Sequence, residues 1–238
     1  MSASDPTIPD PNRPLPEGTA KTSAVRSMFD AIAPRYDLVN RIMTFRLDVA
    51  WRRRTVRRLD LPAGSLVLDL ACGTGDLCRD LDRAGMAPLG MDLSWGMLAA
   101  ARTEAPLVHA DALRLPVADG SADGVTCGFA LRNLTGLEPF FAELARVLRP
   151  SGRIAILEVD RPRNRFLRLG HGAYFGRVVP FIGGLLSNRD AYRYLPRSVA
   201  YLPPEEDLLA IIAAAGFVNV TKERCSGGIA QLLTATRA

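Results

Sequence analysis

From Ser23 onward, apolar residues recur every three or four positions. Val25, Met28, Phe29 and Ile32 share one face of a predicted helix, which Pro34 ends. A second helical pattern runs from Leu38 to Leu59, closed by Leu61-Pro62-Ala63-Gly64. The period then shifts. Ser65-Leu66-Val67-Leu68-Asp69-Leu70 is a short apolar run before a glycine-rich turn, as in a strand buried on both faces. Similar runs occupy Pro88 to Asp92, Leu107 to His109, Gly124 to Phe129 and Arg153 to Val159. Helical patterns separate them over Asp76 to Ala84, Trp95 to Arg102 and Leu137 to Leu148. This alternation predicts an α/β fold: a mostly parallel sheet with right-handed crossovers. Leu148-Arg149-Pro150-Ser151-Gly152 reads as a helix stop and a turn into the fifth strand.

Residues 161–203 break the alternation. They are rich in Arg, Tyr, Phe and Gly, and read as a helical lid inserted into the domain. After Pro203-Pro204, Glu205 to Ala215 predicts a helix. Phe217 to Glu223 and Ile229 to Thr236 predict a closing antiparallel pair. Residues 1–22 carry Pro6, Pro9, Pro11, Pro14 and Pro16 with almost no large apolar side chains, and are expected to be disordered. One domain is therefore expected over residues 23–238.

The chain has 238 residues, 48% of them hydrophobic and 23% charged. That composition excludes a fully disordered chain and a fibre. The most apolar stretch, Val178 to Leu186, is broken by Pro180, Gly183 and Gly184. It falls well short of the roughly 18 residues of a membrane-spanning helix. With no secretory leader evident, a soluble cytoplasmic protein is expected. Cys72, Cys78, Cys127 and Cys225 fit neither a zinc site nor a redox pair, and only His109 and His171 join them, so no transition-metal site is expected, while a carboxylate-bound metal stays open. Of the 30 basic residues only Lys21 and Lys222 are lysine. The arginines cluster at Arg52-Arg53-Arg54, at Arg57-Arg58 and from Arg161 to Arg168. Such clusters suit an anionic partner, whether nucleic acid, a phosphorylated ligand or a membrane face, and suit a solvated helix face equally well.

The sharpest motif is Val67-Leu68-Asp69-Leu70-Ala71-Cys72-Gly73-Thr74-Gly75-Asp76. A buried strand ends, and glycines let the backbone approach a ligand ahead of a helix N-terminus. Dinucleotide enzymes share such turns, but their fingerprint wants a third glycine where Cys78 stands. Asp69, four residues before Gly73, would repel a pyrophosphate. It suits the ammonium of S-adenosylmethionine, directly or through water. Asp92, in Gly90-Met91-Asp92-Leu93-Ser94, ends the second strand and is placed to accept both ribose hydroxyls. Asp111, after the third strand, can take the adenine amine, with Leu93 and Ala112 against the ring.

Together, Asp69, Gly73, Thr74, Gly75, Asp92 and Asp111 resemble the class I S-adenosylmethionine-dependent methyltransferases, as does Arg149-Pro150-Ser151-Gly152-Arg153. That resemblance implies a Rossmann-like, mostly parallel seven-stranded sheet with an antiparallel C-terminal strand. Gly128, ending the fourth strand, joins the expected cofactor residues. Met28-Phe29-Asp30-Ala31-Ile32-Ala33-Pro34-Arg35-Tyr36-Asp37-Leu38-Val39-Asn40 is similar to the N-terminal signature of the ubiquinone/menaquinone biosynthesis C-methyltransferases. Gly128-Phe129-Ala130-Leu131-Arg132-Asn133 and the stretch from Asn188 to Ser198 resemble two further signatures of that family. Gly227-Gly228-Ile229-Ala230 lacks the histidine that the family places after a double glycine, a difference that bears on the acceptor more than on the cofactor.

The resemblance implies methyl transfer to a ring carbon of a prenylated hydroquinone, demethylmenaquinol first among them. Arg132 and Asn133 are expected to polarise that acceptor, and Tyr192, Arg193 and Tyr194 to close over it; no residue stands out as a general base, Asp190 being the one candidate. A lipophilic quinol implies peripheral contact with an anionic membrane; self-association stays open. A methyltransferase acting on oxygen or nitrogen of another lipophilic molecule and an NAD(P)-dependent oxidoreductase compete with this reading. A nucleic-acid-binding module has only the arginines behind it and lacks any recognition motif.

Overall fold

The computed structural model describes residues 17–160, 162–164, 172, 174, 194 and 197–238. Seven strands form one sheet: β1 (Leu66–Leu70), β2 (Ala87–Asp92), β3 (Leu107–His109), β4 (Ala122–Gly128), β5 (Leu148–Val159), β6 (Phe217–Cys225) and β7 (Ala230–Arg237). Their order is β3-β2-β1-β4-β5-β7-β6. The first five pair in parallel, and β7 runs antiparallel to both β5 and β6. The order reverses direction beside β1, and there the strand ends open a crevice.

Helices are α1 (Gly18–Ile32), α2 (Tyr36–Met43), α3 (Leu47–Leu59), α4 (Asp76–Arg83), α5 (Trp95–Ala99), α6 (Leu137–Val147) and α7 (Glu205–Ala214). Both sheet faces are covered, which is why β1 is apolar on both sides. Leu68, Leu70, Ile154 and Ile156 meet Phe140, Phe141 and Leu144 of α6 and Ile212 of α7 on one face. Val67, Ala155 and Leu157 meet Trp51 and Leu59 of α3 and Leu77 and Leu81 of α4 on the other. A third cluster caps the crevice, where Met28, Ile32, Val39, Met43 and Met97 gather around the buried Tyr194.

Several boundaries differ from those the sequence predicts. α1 begins at Gly18, so residues 18–22 are helical and not tail. The pattern from Leu38 to Leu59 is two helices, because Phe45 and Arg46 take left-handed φ values of 51° and 62° and turn the chain. The expected turn at Leu148–Gly152 is a bulge within β5: Leu148 pairs with Ala122, and pairing resumes at Arg153 opposite Gly124. α5 stops at Ala99, three residues before Arg102. Most of the inserted segment, including Asp190, Tyr192 and Arg193, lies outside the described residues, as do residues 1–16.

Candidate active site

The turn after β1 is held by backbone bonds. Cys72 N–H donates to Met91 O at 3.0 Å, and Gly75 N–H to Cys72 O at 2.9 Å. Gly75 opens α4 with φ 80°, and a Cβ there would stand 2.6 Å from Thr103 Cγ2. Glycine is required on both counts. A Cβ on Gly73 meets nothing within 4 Å, so that side of the turn faces open space.

A cavity of about 840 Å³, including its open mouth, lies against this turn. Gly73, Asp92, Leu93, Asp111, Ala112 and Gly128 line it, and so does Asn133. Asp92 accepts from Gly73 N at 2.8 Å and from Ser94 N at 2.8 Å, one bond per carboxylate oxygen. Burial raises its pKa, against those two bonds. Each oxygen keeps a lone pair for a ligand hydroxyl. Asp111 is set by its own loop, accepting from Leu113 N at 2.9 Å. Leu113 and Met97 extend the apolar surface between the two carboxylates.

Three predicted cofactor residues do not line the cavity. Asp69 is fully buried beneath the turn, where its carboxylate accepts from Thr126 Oγ1 at 2.9 Å and from Cys78 Sγ at 3.3 Å. Burial pushes its pKa up to about 7, against the bonds from Thr126 and Cys78. Its position supports the turn from below, and it does not line the cavity. Thr74 is buried and donates to Asp37 of α2 at 2.5 Å. Gly75 shapes the turn without facing the cavity.

Arg132 also differs from expectation. It is 5% exposed and lies outside the lining. Its guanidinium pairs with the fully buried Glu158, donates to Phe129 O at 2.7 Å and to Ser198 Oγ at 3.1 Å. Its guanidinium is enclosed by these partners and does not line the cavity. Its neighbour Asn133 reaches the wall, with Tyr194 Oη donating to Asn133 Oδ1 at 3.4 Å.

The opposite wall comes from the N-terminal helices. Val25 and Phe29 of α1 and Tyr36 of α2 line the cavity, and Leu134 closes it beyond Asn133. Asp30 accepts from Ser94 Oγ at 2.6 Å and from Gly96 N at 2.8 Å, which locks α1 to α5. A Cβ on Gly96 would stand 2.8 Å from Asp30 Cα, so only glycine permits this approach. The buried Lys21 donates to Leu134 O at 2.6 Å and sits 3.6 Å above the Tyr201 ring. Phe29, Asp30, Tyr36 and Asp37 stood in the N-terminal signature; only the folded chain shows what each touches. Ser198 closes the stretch from Asn188 that resembles a family signature, while Glu158 carried no local signal.

The arginine clusters divide. Arg52 binds Asp48 at 2.7 Å and Asp76 at 2.8 Å, while Arg54 and Arg58 pair with Glu223. Arg53 and Arg57 stand exposed. All four cysteines are free and buried. Among the described residues, no group of three or more His, Cys, Asp or Glu side chains could hold a metal ion, and no helix is long and apolar enough to cross a membrane.

Sheet order, a glycine turn after β1, and carboxylates after β2 and β3 on one cavity define a class I S-adenosylmethionine-dependent methyltransferase. Solved structures share the fold. The [4+2]-cyclase SpnF superposes with a TM-score of 0.64 at 17% identity, over 94% of this chain and 98% of its own. Haemonchus contortus phosphoethanolamine N-methyltransferase 2, in complex with S-adenosyl-L-methionine, gives 0.58 at 15% identity, over 78% of this chain and 52% of its own. Residues 17–237 match the model of the ubiE/COQ5 methyltransferase family, and the chain belongs to that family. A demethylmenaquinone methyltransferase of Thermus thermophilus is 46% identical, covering 86% of this chain and 97% of its own. The ubiquinone/menaquinone biosynthesis C-methyltransferase UbiE of Geobacter sulfurreducens is 38% identical, covering 91% and 89%.

Proposed function

We propose that the protein methylates a ring carbon of a prenylated hydroquinone, demethylmenaquinol first among them, at the inner face of the cell membrane. The carrying observation is the two-sided cavity: Asp92 and Asp111 on one wall, Phe29, Tyr36 and Leu134 on the other, and Asn133 among them. The first wall has the donors and acceptors of a nucleoside site; the second is mainly apolar and aromatic, with Thr22, Arg26 and Thr135 as its polar members, which suits a hydroquinone ring and its oxygens. Relatives at 46% and 41% identity are named demethylmenaquinone methyltransferases, which supports this acceptor over other phenols.

The residues fit S-adenosylmethionine. Asp92 would hold the ribose hydroxyls, Asp111 the adenine amine, and Leu93, Ala112 and Leu113 the ring faces. Gly73 and Gly128 offer backbone without side chains in the way. When bound, the cofactor supplies a methyl group already activated by its sulfonium charge. The protein's share is alignment and water exclusion. Asn133 hydrogen-bonds the acceptor's oxygen and sets the ring's orientation. Arg132 acts through Asn133: by fixing Phe129 O, Glu158 and Ser198 it holds the loop that presents the amide. Tyr192 and Arg193 would complete the closure from the lid.

A labelled-methyl assay on demethylmenaquinol, a demethylated ubiquinol precursor and simple phenols tests this. Incorporation should favour demethylmenaquinol, with a new ring C-methyl signal by NMR. Label found on a phenolic oxygen, or equal transfer to simple phenols, overturns the reading.

A further inference from the structure

Among the described residues, six large hydrophobic side chains stand exposed, and four of them fall within ten positions: Leu38 (55%), Ile42 (41%), Phe45 (75%) and Leu47 (38%). Leu38 and Ile42, four apart, share the outer face of α2. The inner face of α2 sends Val39 and Met43 into the capping cluster and Tyr36 to the cavity. Phe45 follows at the tip of the α2–α3 turn. It and Arg46 hold successive left-handed conformations, a costly backbone for non-glycine residues. The turn therefore carries strain, and the Phe45 ring, 5.8 Å from that of Tyr174, still leaves three-quarters of its surface exposed.

The charges of this face are one-sided. Asp37 and Asp48, the acidic residues between positions 31 and 59, are both used inward. Asp37 accepts from Thr74, and Asp48, 2% exposed, binds Thr44 and Arg52. Arg46 in the turn before α3, and Arg53 and Arg57, four apart on α3, are exposed, and none forms an ion pair with a described residue.

We propose that Leu38, Ile42, Phe45 and Leu47, with Arg46, Arg53 and Arg57, form a docking face for an anionic lipid bilayer. The apolar side chains enter the boundary below the headgroups, and the guanidiniums meet the phosphates. A second copy of the chain fits poorly, because a two-fold contact would place one set of arginines against the other with no carboxylate between them. The same helix carries Tyr36 in the cavity wall, so docking brings the cavity to the membrane surface. The biological sense of the face thus rests on the lipophilic acceptor proposed above, while its existence can be tested separately.

The test is sedimentation of the full chain with vesicles, either phosphatidylcholine alone or mixed equally with phosphatidylglycerol. Binding is expected to the mixed vesicles at low salt and to fall in high salt. The double substitution Ile42→Ser/Phe45→Ser should weaken it by about tenfold or more, since two inserted apolar side chains are lost. The triple substitution Arg46→Gln/Arg53→Gln/Arg57→Gln should remove the salt-sensitive part. Both variants should keep S-adenosylhomocysteine affinity and methyl transfer to a short-chain, water-soluble acceptor within twofold of the parent. The proposal falls if the parent does not sediment with anionic vesicles, if the double variant binds them as the parent does, or if that variant turns a dimer into a monomer by light scattering. Failure of the parent to methylate any acceptor would instead overturn the enzymatic reading, and the vesicle result would stand apart from it.

Discussion

The two walls of the cavity are built in opposite ways. The wall proposed for the cofactor is local: its side chains come from the ends of β1, β2 and β3, the loop after β3 and Met97 of α5, and backbone turns set its shape. The acceptor wall is assembled from α1, α2, the turn at Leu131–Asn133 and the residues around Tyr194 and Ser198, which meet only in the folded chain. Each wall rests on a buried carboxylate. Asp69 is held by neutral donors, a hydroxyl and a thiol, and takes up a proton readily. Glu158 is held by the Arg132 cation and by backbone N–H groups. The local wall needs only a support that packs. The assembled wall needs a charge pair to tie distant segments together.

The comparison can be broken most forcefully at Arg132. Arg132→Met leaves Glu158 charged and unpaired, and should cost about 3–5 kcal/mol of stability in urea unfolding. The double variant Arg132→Met/Glu158→Leu should recover most of that. A single-variant loss below about 1 kcal/mol would show that the pair does not hold the acceptor wall.

On the cofactor wall, Asp92→Ala should lower S-adenosylhomocysteine affinity by about 100-fold in calorimetry, roughly 2.7 kcal/mol, with the fold retained. Unchanged affinity would remove Asp92 from the site.

Asp69 sharpens the contrast through pH. Its folded pKa, about 7, lies above the unfolded value near 3.8. Its stabilising contribution is therefore complete below about pH 4 and is lost as pH rises through about 7. Over that window it should steepen the decline by at most about 1.4 kcal/mol per pH unit. Asp69→Asn should flatten the decline between pH 4 and 7 in denaturant melts. Parallel curves for the parent and the variant would contradict this.

The smallest effect is expected where the two walls touch. Ser94→Ala removes the cap to Met97 N and the bond to Asp30, and should cost about 1 kcal/mol, read as a lower Tm.

Much of the cofactor wall was legible in the sequence, because strand ends, glycine turns and the acids after them keep fixed spacings. Asp92, Leu93, Asp111, Ala112 and Gly128 stand where those spacings put them. The motif locates Asp69 under the turn but does not say which way its side chain points, because β1 is buried on both faces. Arg132 sits beside the crevice in sequence, yet its partners are 26 and 66 residues away. The arginine clusters read as one patch because charge alone does not separate Arg54 and Arg58, paired with Glu223, from Arg53 and Arg57, which face outward. The break between α2 and α3 was invisible because apolar spacing continues through Phe45.

Periodicity and turn chemistry act over a few residues, so the chain alone determined its alternating elements, the sheet they form and the glycine turn beside the cavity. Which carboxylates meet a ligand, and which arginines are consumed by the fold, was decided only in three dimensions. Desolvation and charge pairing depend on neighbours brought from far along the chain, and nothing local in the sequence encodes them.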